Sequence, residues 1–147
     1  MAERATAPLP PGARIGILGG GQLGRMLGLA AARLGLRTHV YDPAAPACAA
    51  PVSERWVRAG WDDAAALADF AAGVDVVTYE FENVPLGAVD ACAAHAPVRP
   101  GRRALEAAQD RLAEKDFLSG LGLATAPYAA VDDVASLDAA LARIGAP

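Results

Sequence analysis

Three short stretches of this 147-residue chain carry residues able to do chemistry. The first is Gly19-Gly20-Gly21-Gln22-Leu23-Gly24, in which Gly19, Gly21 and Gly24 satisfy G-x-G-x-x-G. Glycines at this spacing tolerate positive φ and let a ligand approach the backbone. Where such a turn joins a strand to a helix, the free N–H groups and partial positive charge of the helix start attract an anion, so a phosphorylated ligand is expected there. The second stretch is Thr78-Tyr79-Glu80-Phe81-Glu82-Asn83. On an extended chain Glu80 and Glu82 share a face. A carboxylate there suits sugar hydroxyls, because it accepts hydrogen bonds strongly. Glu80 is read as a ligand contact, Glu82 as a solvated loop acid and Asn83 as a loop or cap residue. The third stretch, Gln109-Asp110-Arg111 and onward, places Arg111 and Lys115 four apart on one helical face. By spacing alone, salt bridging with Asp110, Glu114 or Asp116 is the default and phosphate clamping the alternative. Asp42 adds a fourth candidate. It ends a strand at about the distance where a dinucleotide fold keeps its ribose-binding acid, and it equally fits a turn ahead of Pro43.

The elements that must position these residues follow from pattern. Arg14 to Leu18 is apolar and β-branched enough for a buried strand. From Gln22 to Leu34, Leu23, Met26, Leu27, Leu29, Ala30 and Leu34 recur at helical spacing, and Gly35 closes the helix. Strands are expected at "RTHVYD", "RWVRAG", "VDVVTYEF" and, briefly, "PVRP". Asp62 is expected to cap a helix carrying Leu67 and Phe70 that stops at Gly73, and a further helix runs from about Pro85 to His95. Such alternation predicts an α/β fold with a parallel sheet covered on both faces. Its strands' carboxyl ends share one edge, where ligands of such sheets bind. The glycine turn, Asp42 and "YEFEN" all reach that edge. After Pro100 the pattern changes: one long amphipathic helix from Gly101 to Gly122, an extended segment, and a last helix capped by Ser136.

Composition excludes several classes. A net charge of −4 offers no basic field for nucleic acid. No run reaches the ~20 apolar residues of a membrane span, and the amino terminus lacks the apolar stretch of a signal peptide. A cytoplasmic protein with a loose tail over residues 1–12 is expected. Cys48 and Cys92 form no metal or redox spacing and are read as small buried residues. His39 and His95 are read as structural, and Trp56 and Trp61 as core or rim packing. No catalytic residue and no metal ligand is assigned within the chain.

Taken together, "GILGGGQLGRML", "YDP", "VVTYEFENVP" and "QDRLAEKDFLSGLGLATAPY" resemble the amino-terminal part of carboxyaminoimidazole ribonucleotide synthetases, over nearly all of residues 13–147. That resemblance implies a Rossmann-like pre-ATP-grasp domain over residues 13–108, followed by the truncated start of an ATP-grasp domain over residues 109–147. It implies an ATP-dependent ligase of purine biosynthesis that joins aminoimidazole ribonucleotide and bicarbonate. ATP with Mg2+ is the implied cofactor pair, the metal ligands being expected beyond residue 147, and the whole enzyme is expected to form a homodimer. By the resemblance, Gly21, Gln22, Leu23 and Glu80 contact the acceptor substrate, Arg111 reaches the ATP phosphates, and Asp42 becomes a turn residue. Lys115 receives no role. The chain is expected to be a fragment without catalysis of its own. Its residues 101–147 are expected to be the less stable part. Two other readings stand beside this one: an NAD(P)-binding domain of an oxidoreductase, carried by the glycine pattern and Asp42, and an interaction module that kept the fold without the chemistry.

Overall fold

A computed structural model describes residues 8–145. These residues divide into two compact units, one running up to Arg102 and the other starting at Arg103. In the first unit, β1 (Arg14–Leu18), β2 (Arg37–Tyr41), β3 (Arg55–Val57) and β4 (Val76–Tyr79) form a parallel sheet in the order β3-β2-β1-β4. The helices between them are α1 (Gln22–Arg33) and α2 (Ala64–Ala72), with α3 (Leu86–Ala93) after β4. The expected fifth strand shrinks to a single bridge between Val77 and Val98, since prolines on either side leave few amides to donate.

Register fixes the two faces. Ile15 pairs with Thr38 and Ile17 with Val40, while Gly16 pairs with His39 and Leu18 with Tyr41. Ile17 and Val40 cluster with Ala49, with Ile15 and Trp56 packed against them. On the other face Tyr41 meets Phe70 of α2 edge-on at 5.4 Å. Gly16 is needed there, because a Cβ would lie 2.9 Å from the Phe70 ring. Each such buried side chain contributes roughly 1.5–3 kcal/mol relative to exposure.

Helix α1 departs from the leucine-faced helix that periodicity suggests. Its buried residues are the small ones, Gly24, Gly28 and Ala31, while Leu23, Met26, Leu29 and Leu34 are exposed. Small residues let the helix lie close on the sheet: a Cβ on Gly28 would sit 3.3 Å from Val52 and 3.5 Å from Thr38. The helix ends as expected, with Gly35 at φ 73 donating to the Ala32 carbonyl and Leu36 to that of Ala31. Other ends shift by a residue or more. Asp63, not Asp62, caps α2 by accepting from the Ala66 amide. Of the expected tail, residues 1–7 lie outside the described residues, and Gly12 is tied to the Gly35 carbonyl at 2.7 Å.

The second unit holds most of α4 (Arg102–Gln109), then α5 (Arg111–Gly120) and α6 (Val134–Ile144). The single long helix expected here is broken at Asp110. That residue takes extended angles, φ −120 and ψ 128, and its carboxylate accepts from the Ala113 amide as the cap of α5. An aspartate gains more by capping a new helix than by continuing an old one. Likewise Asp133 caps α6, and Ser136 is the other half of a capping box rather than the cap itself. Neither α5 nor α6 buries a residue. Burial, not propensity, stabilises most helices, so amide exchange is expected to be faster across residues 111–144 than across β1, β2 and β4. Equal protection in both regions would contradict this.

His39 supplies a pH dependence. It is buried on the α2 face, its Nδ1 has no partner among the described residues, and its Nε2 lies 3.5 Å from Glu54 Oε2. Burial lowers its pKa from the usual 6.5, with the Arg14 and Arg55 charges adding to this and Glu54 opposing it. A lowered folded value means that the unfolded chain takes up the proton first as pH falls. The stabilisation is thus complete above about pH 6.5 and is lost as pH drops through the folded value. Urea midpoints are expected to fall between about pH 7 and 5.5, and His39→Gln to flatten that slope. An unchanged slope in the variant would exclude His39 as the cause.

Candidate functional site

The glycine turn is built from its amides outward. β1 ends at the buried Leu18, and Gly19 follows with φ 107, a conformation that demands glycine. The Gly19 amide donates to the Tyr41 carbonyl at 2.9 Å. The next amides go to side chains. Gly20 donates to Asp42 Oδ2 at 2.5 Å, Gly21 to Glu80 Oε1 at 2.9 Å, and Gly24 to Glu80 Oε2 at 2.8 Å. Glu80 is held for this by its own backbone, whose amide donates to the Leu18 carbonyl at 3.1 Å and so extends the β1–β4 ladder. Its carboxylate therefore sits over the start of α1, where a negative charge contributes about 0.3–1 kcal/mol, and up to about 2 when partly buried.

The turn is packed tightly around that carboxylate. A Cβ on Gly19 would lie 2.4 Å from Glu80 Cγ, and one on Gly21 would lie 2.8 Å from Oε1. A Cβ on Gly24 would lie 2.7 Å from the Gly19 carbonyl oxygen, which is backbone and has nowhere to go. All three glycines of the pattern are thus explained by internal packing, with no ligand required. Asp42 closes the other side: its Oδ1 accepts from the Ala44 amide at 2.7 Å, and its carbonyl accepts from Trp56 Nε1 at 3.3 Å. It is a turn-organising residue.

Two amides of this junction are left over. Gln22 and Leu23, the first two residues of α1, donate to no acceptor among the described residues. Both side chains are exposed. Of the four residues expected at the acceptor, Gln22 and Leu23 therefore present free donors, Glu80 presents unused lone pairs, and the Gly21 amide is already engaged. Beside Glu80 runs an aromatic chain, of which the sequence singled out only Trp61, as packing. Trp61 lies 5.4 Å from Tyr41 and 6.4 Å from Phe81, ring centre to ring centre. The Tyr41 hydroxyl donates to the Gly60 carbonyl, and burial pushes its pKa up to about 12, so it stays protonated. Trp61 at the start of the α2 loop and Phe81 after β4 were visible as aromatics, yet nothing in their spacing announced that they meet.

Elsewhere the expectations divide. Cys92 is buried, and desolvation pushes its thiol up to about 11, which makes it inert. Cys48 is exposed, against expectation, because it lies in the loop after Pro46 rather than in an element. Glu82 and Asn83 are exposed. In the second unit Arg111 stands on the first turn of α5, exposed and ion-paired with Glu114. It lines an open groove of about 590 Å3 with Lys115, Tyr128 and Asp132. Lys115 holds the extended segment: it donates to the Ala126 carbonyl at 3.1 Å and lies 5.2 Å above the Tyr128 ring. Arg111 and Lys115 thus share a groove, but only Arg111 projects into solvent.

Comparison with known proteins shows the family and the fold. Residues 13–109 match the family model described as the ribonucleotide synthetase preATP-grasp domain. An N5-carboxyaminoimidazole ribonucleotide synthase of Brucella melitensis is 53% identical over 137 residues, 93% of this chain and 38% of that protein. The crystal structure of the Thermus thermophilus synthetase superposes with a TM-score of 0.83 at 50% identity, covering 90% of this chain and 37% of that one. An Aspergillus clavatus synthase, crystallised with ADP and 5-aminoimidazole ribonucleotide, superposes with a TM-score of 0.81 at 30% identity, over 93% of this chain and 37% of that one. The chain thus spans somewhat over a third of the length of these relatives. An oxidoreductase reading is not supported: the relatives are synthetases, and the Gly20 and Gly21 amides of the turn are engaged by Asp42 and Glu80.

The tight fit at Gly24 gives a test. Gly24→Ala forces a methyl against the Gly19 carbonyl and is expected to destabilise the first unit by about 2 kcal/mol or more. Urea denaturation would measure it, and wild-type stability in the variant would show that α1 and the turn are not packed as described.

Proposed function

The chain belongs to the ribonucleotide synthetase preATP-grasp family, and from that premise we propose that it is the acceptor-binding portion of an ATP-dependent carboxyaminoimidazole ribonucleotide synthetase. Such an enzyme converts aminoimidazole ribonucleotide, bicarbonate and ATP to carboxyaminoimidazole ribonucleotide, ADP and phosphate. The γ-phosphoryl group passes to bicarbonate, giving carboxyphosphate. The acceptor's exocyclic amine then attacks the carboxyl carbon, phosphate leaves and a proton is released. ATP binds with Mg2+, and the working enzyme is a cytoplasmic homodimer.

One observation carries this reading: Glu80 stands at the sheet's carboxyl edge beside the two free amides of Gln22 and Leu23. Each carboxylate oxygen takes one backbone amide and keeps lone pairs for further donors. Two ribose hydroxyls supply such donors. The Gln22 and Leu23 amides donate to ligand oxygens, as helix-start amides readily do. In the second unit Arg111 breaks its exposed pair with Glu114 and reaches an ATP phosphate, an exchange that is cheap because surface pairs contribute only about 0–1 kcal/mol.

Calorimetric titration tests both assignments. The chain is expected to bind 5-aminoimidazole ribonucleotide, and Glu80→Ala to weaken that binding by about 1–3 kcal/mol, the cost of losing a charged hydrogen-bond partner. Arg111→Ala is expected to leave acceptor binding intact and to weaken ATP. Unchanged acceptor affinity in Glu80→Ala would remove Glu80 from the site. Binding of NADH without the ribonucleotide would overturn the whole reading.

A further inference from the structure

We propose that Glu80, assisted by Asp42, is a specificity-determining residue that closes the glycine turn to diphosphate groups. The pattern Gly19, Gly21, Gly24 is the one by which dinucleotide-binding turns present amides to a diphosphate. Here those amides already have partners. Gly20 donates to Asp42, and Gly21 and Gly24 donate to the two oxygens of Glu80. The chain's own carboxylate occupies the position an anionic ligand would take, and it satisfies the same donors.

Space and charge reinforce this. The Glu80 stem lies directly over the turn, as the 2.4 Å from its Cγ to a Cβ built on Gly19 shows. A diphosphate needs that approach to reach backbone. Displacing Glu80 is not free, because its amide is fixed in the ladder to the Leu18 carbonyl and its carboxylate would lose two charge-assisted bonds. A diphosphate arriving beside an undisplaced Glu80 and Asp42 meets two like charges. The three glycine amides are thereby withdrawn from an incoming anion, and the Gln22 and Leu23 amides that stay free stand beside a carboxylate rather than in an open anion cradle. This exclusion is independent of which metabolite the acceptor site binds.

The test is an NMR titration of the 15N-labelled chain with inorganic pyrophosphate, following the Gly20, Gly21 and Gly24 amides. In the wild type these resonances are expected to stay still. In Glu80→Ala they are expected to move, with an affinity for pyrophosphate raised roughly tenfold or more by the freed helix start. Glu80→Gln preserves the shape of the side chain and can accept from only one of the two amides, so it should show a smaller gain; it gives the reading if the alanine variant does not fold. Glu82→Gln removes the same charge two residues away and should leave the three amides unresponsive. Movement of the wild-type amides with the affinity of the variants would overturn the proposal. So would folded Glu80 variants whose amides ignore pyrophosphate, or an equal gain in Glu82→Gln.

Discussion

The hydrogen bonds from the Gly21 and Gly24 amides to one carboxylate, that of Glu80, are the constraint on which the rest of this molecule turns. They join residues 59 and 56 positions apart in sequence. They fix where α1 begins, which amides of its first turn stay free, and how the end of β4 meets the end of β1. A helix start leaves amides without intrahelical partners. Here they divide cleanly: Gly24 goes to Glu80, along with the preceding Gly21, and Gln22 and Leu23 stay open. The chain thus satisfies its own junction while leaving donors and acceptors side by side at one rim.

The scaffold beneath explains why the carboxylate can be placed so accurately. β1 is central, with β2 and β4 on either side, and its last residue, Leu18, is wholly buried. The Tyr41 carbonyl holds the Gly19 amide from one side, and the Leu18 carbonyl holds the Glu80 amide on the other. Two neighbouring strands therefore deliver Asp42 and Glu80 to the same turn in fixed register. Glycine at positions 16, 24 and 28 removes the side chains that would hold the helices away from the sheet. The small-residue contact face of α1 follows from this closeness.

Much of this was legible in the sequence, and the exceptions have definite causes. The four strands and the positions of the first three helices announced themselves by apolar runs and turn residues, and in β1, β2, β4 and α2 local pattern and tertiary burial agree. The helix over residues 101–122 misled because its amphipathic rhythm continues through Asp110, while the cap that breaks it depends on one carboxylate choosing a nearby amide. α1 misled in the opposite way: its leucines have helical spacing, but the sheet receives Gly24, Gly28 and Ala31. Glu80 was singled out correctly as a residue of the rim. Its two backbone partners could not be inferred, since nothing in residues 16–31 alone says that a carboxylate from residue 80 fills the glycine turn. The reading of Asp42 as a turn residue came from family resemblance, and the Gly20 bond supplies its physical reason.

The central claim is that Glu80 holds the glycine turn through two amides. Scalar coupling across hydrogen bonds, measured between the Gly21 and Gly24 amide nitrogens and the Glu80 side-chain carboxyl carbon, tests it directly. The account predicts a resolved coupling from each of the two amides to that one carbon, together with slow exchange of both amide protons. Absent couplings with both amides exchanging at the rate of an open loop would contradict it.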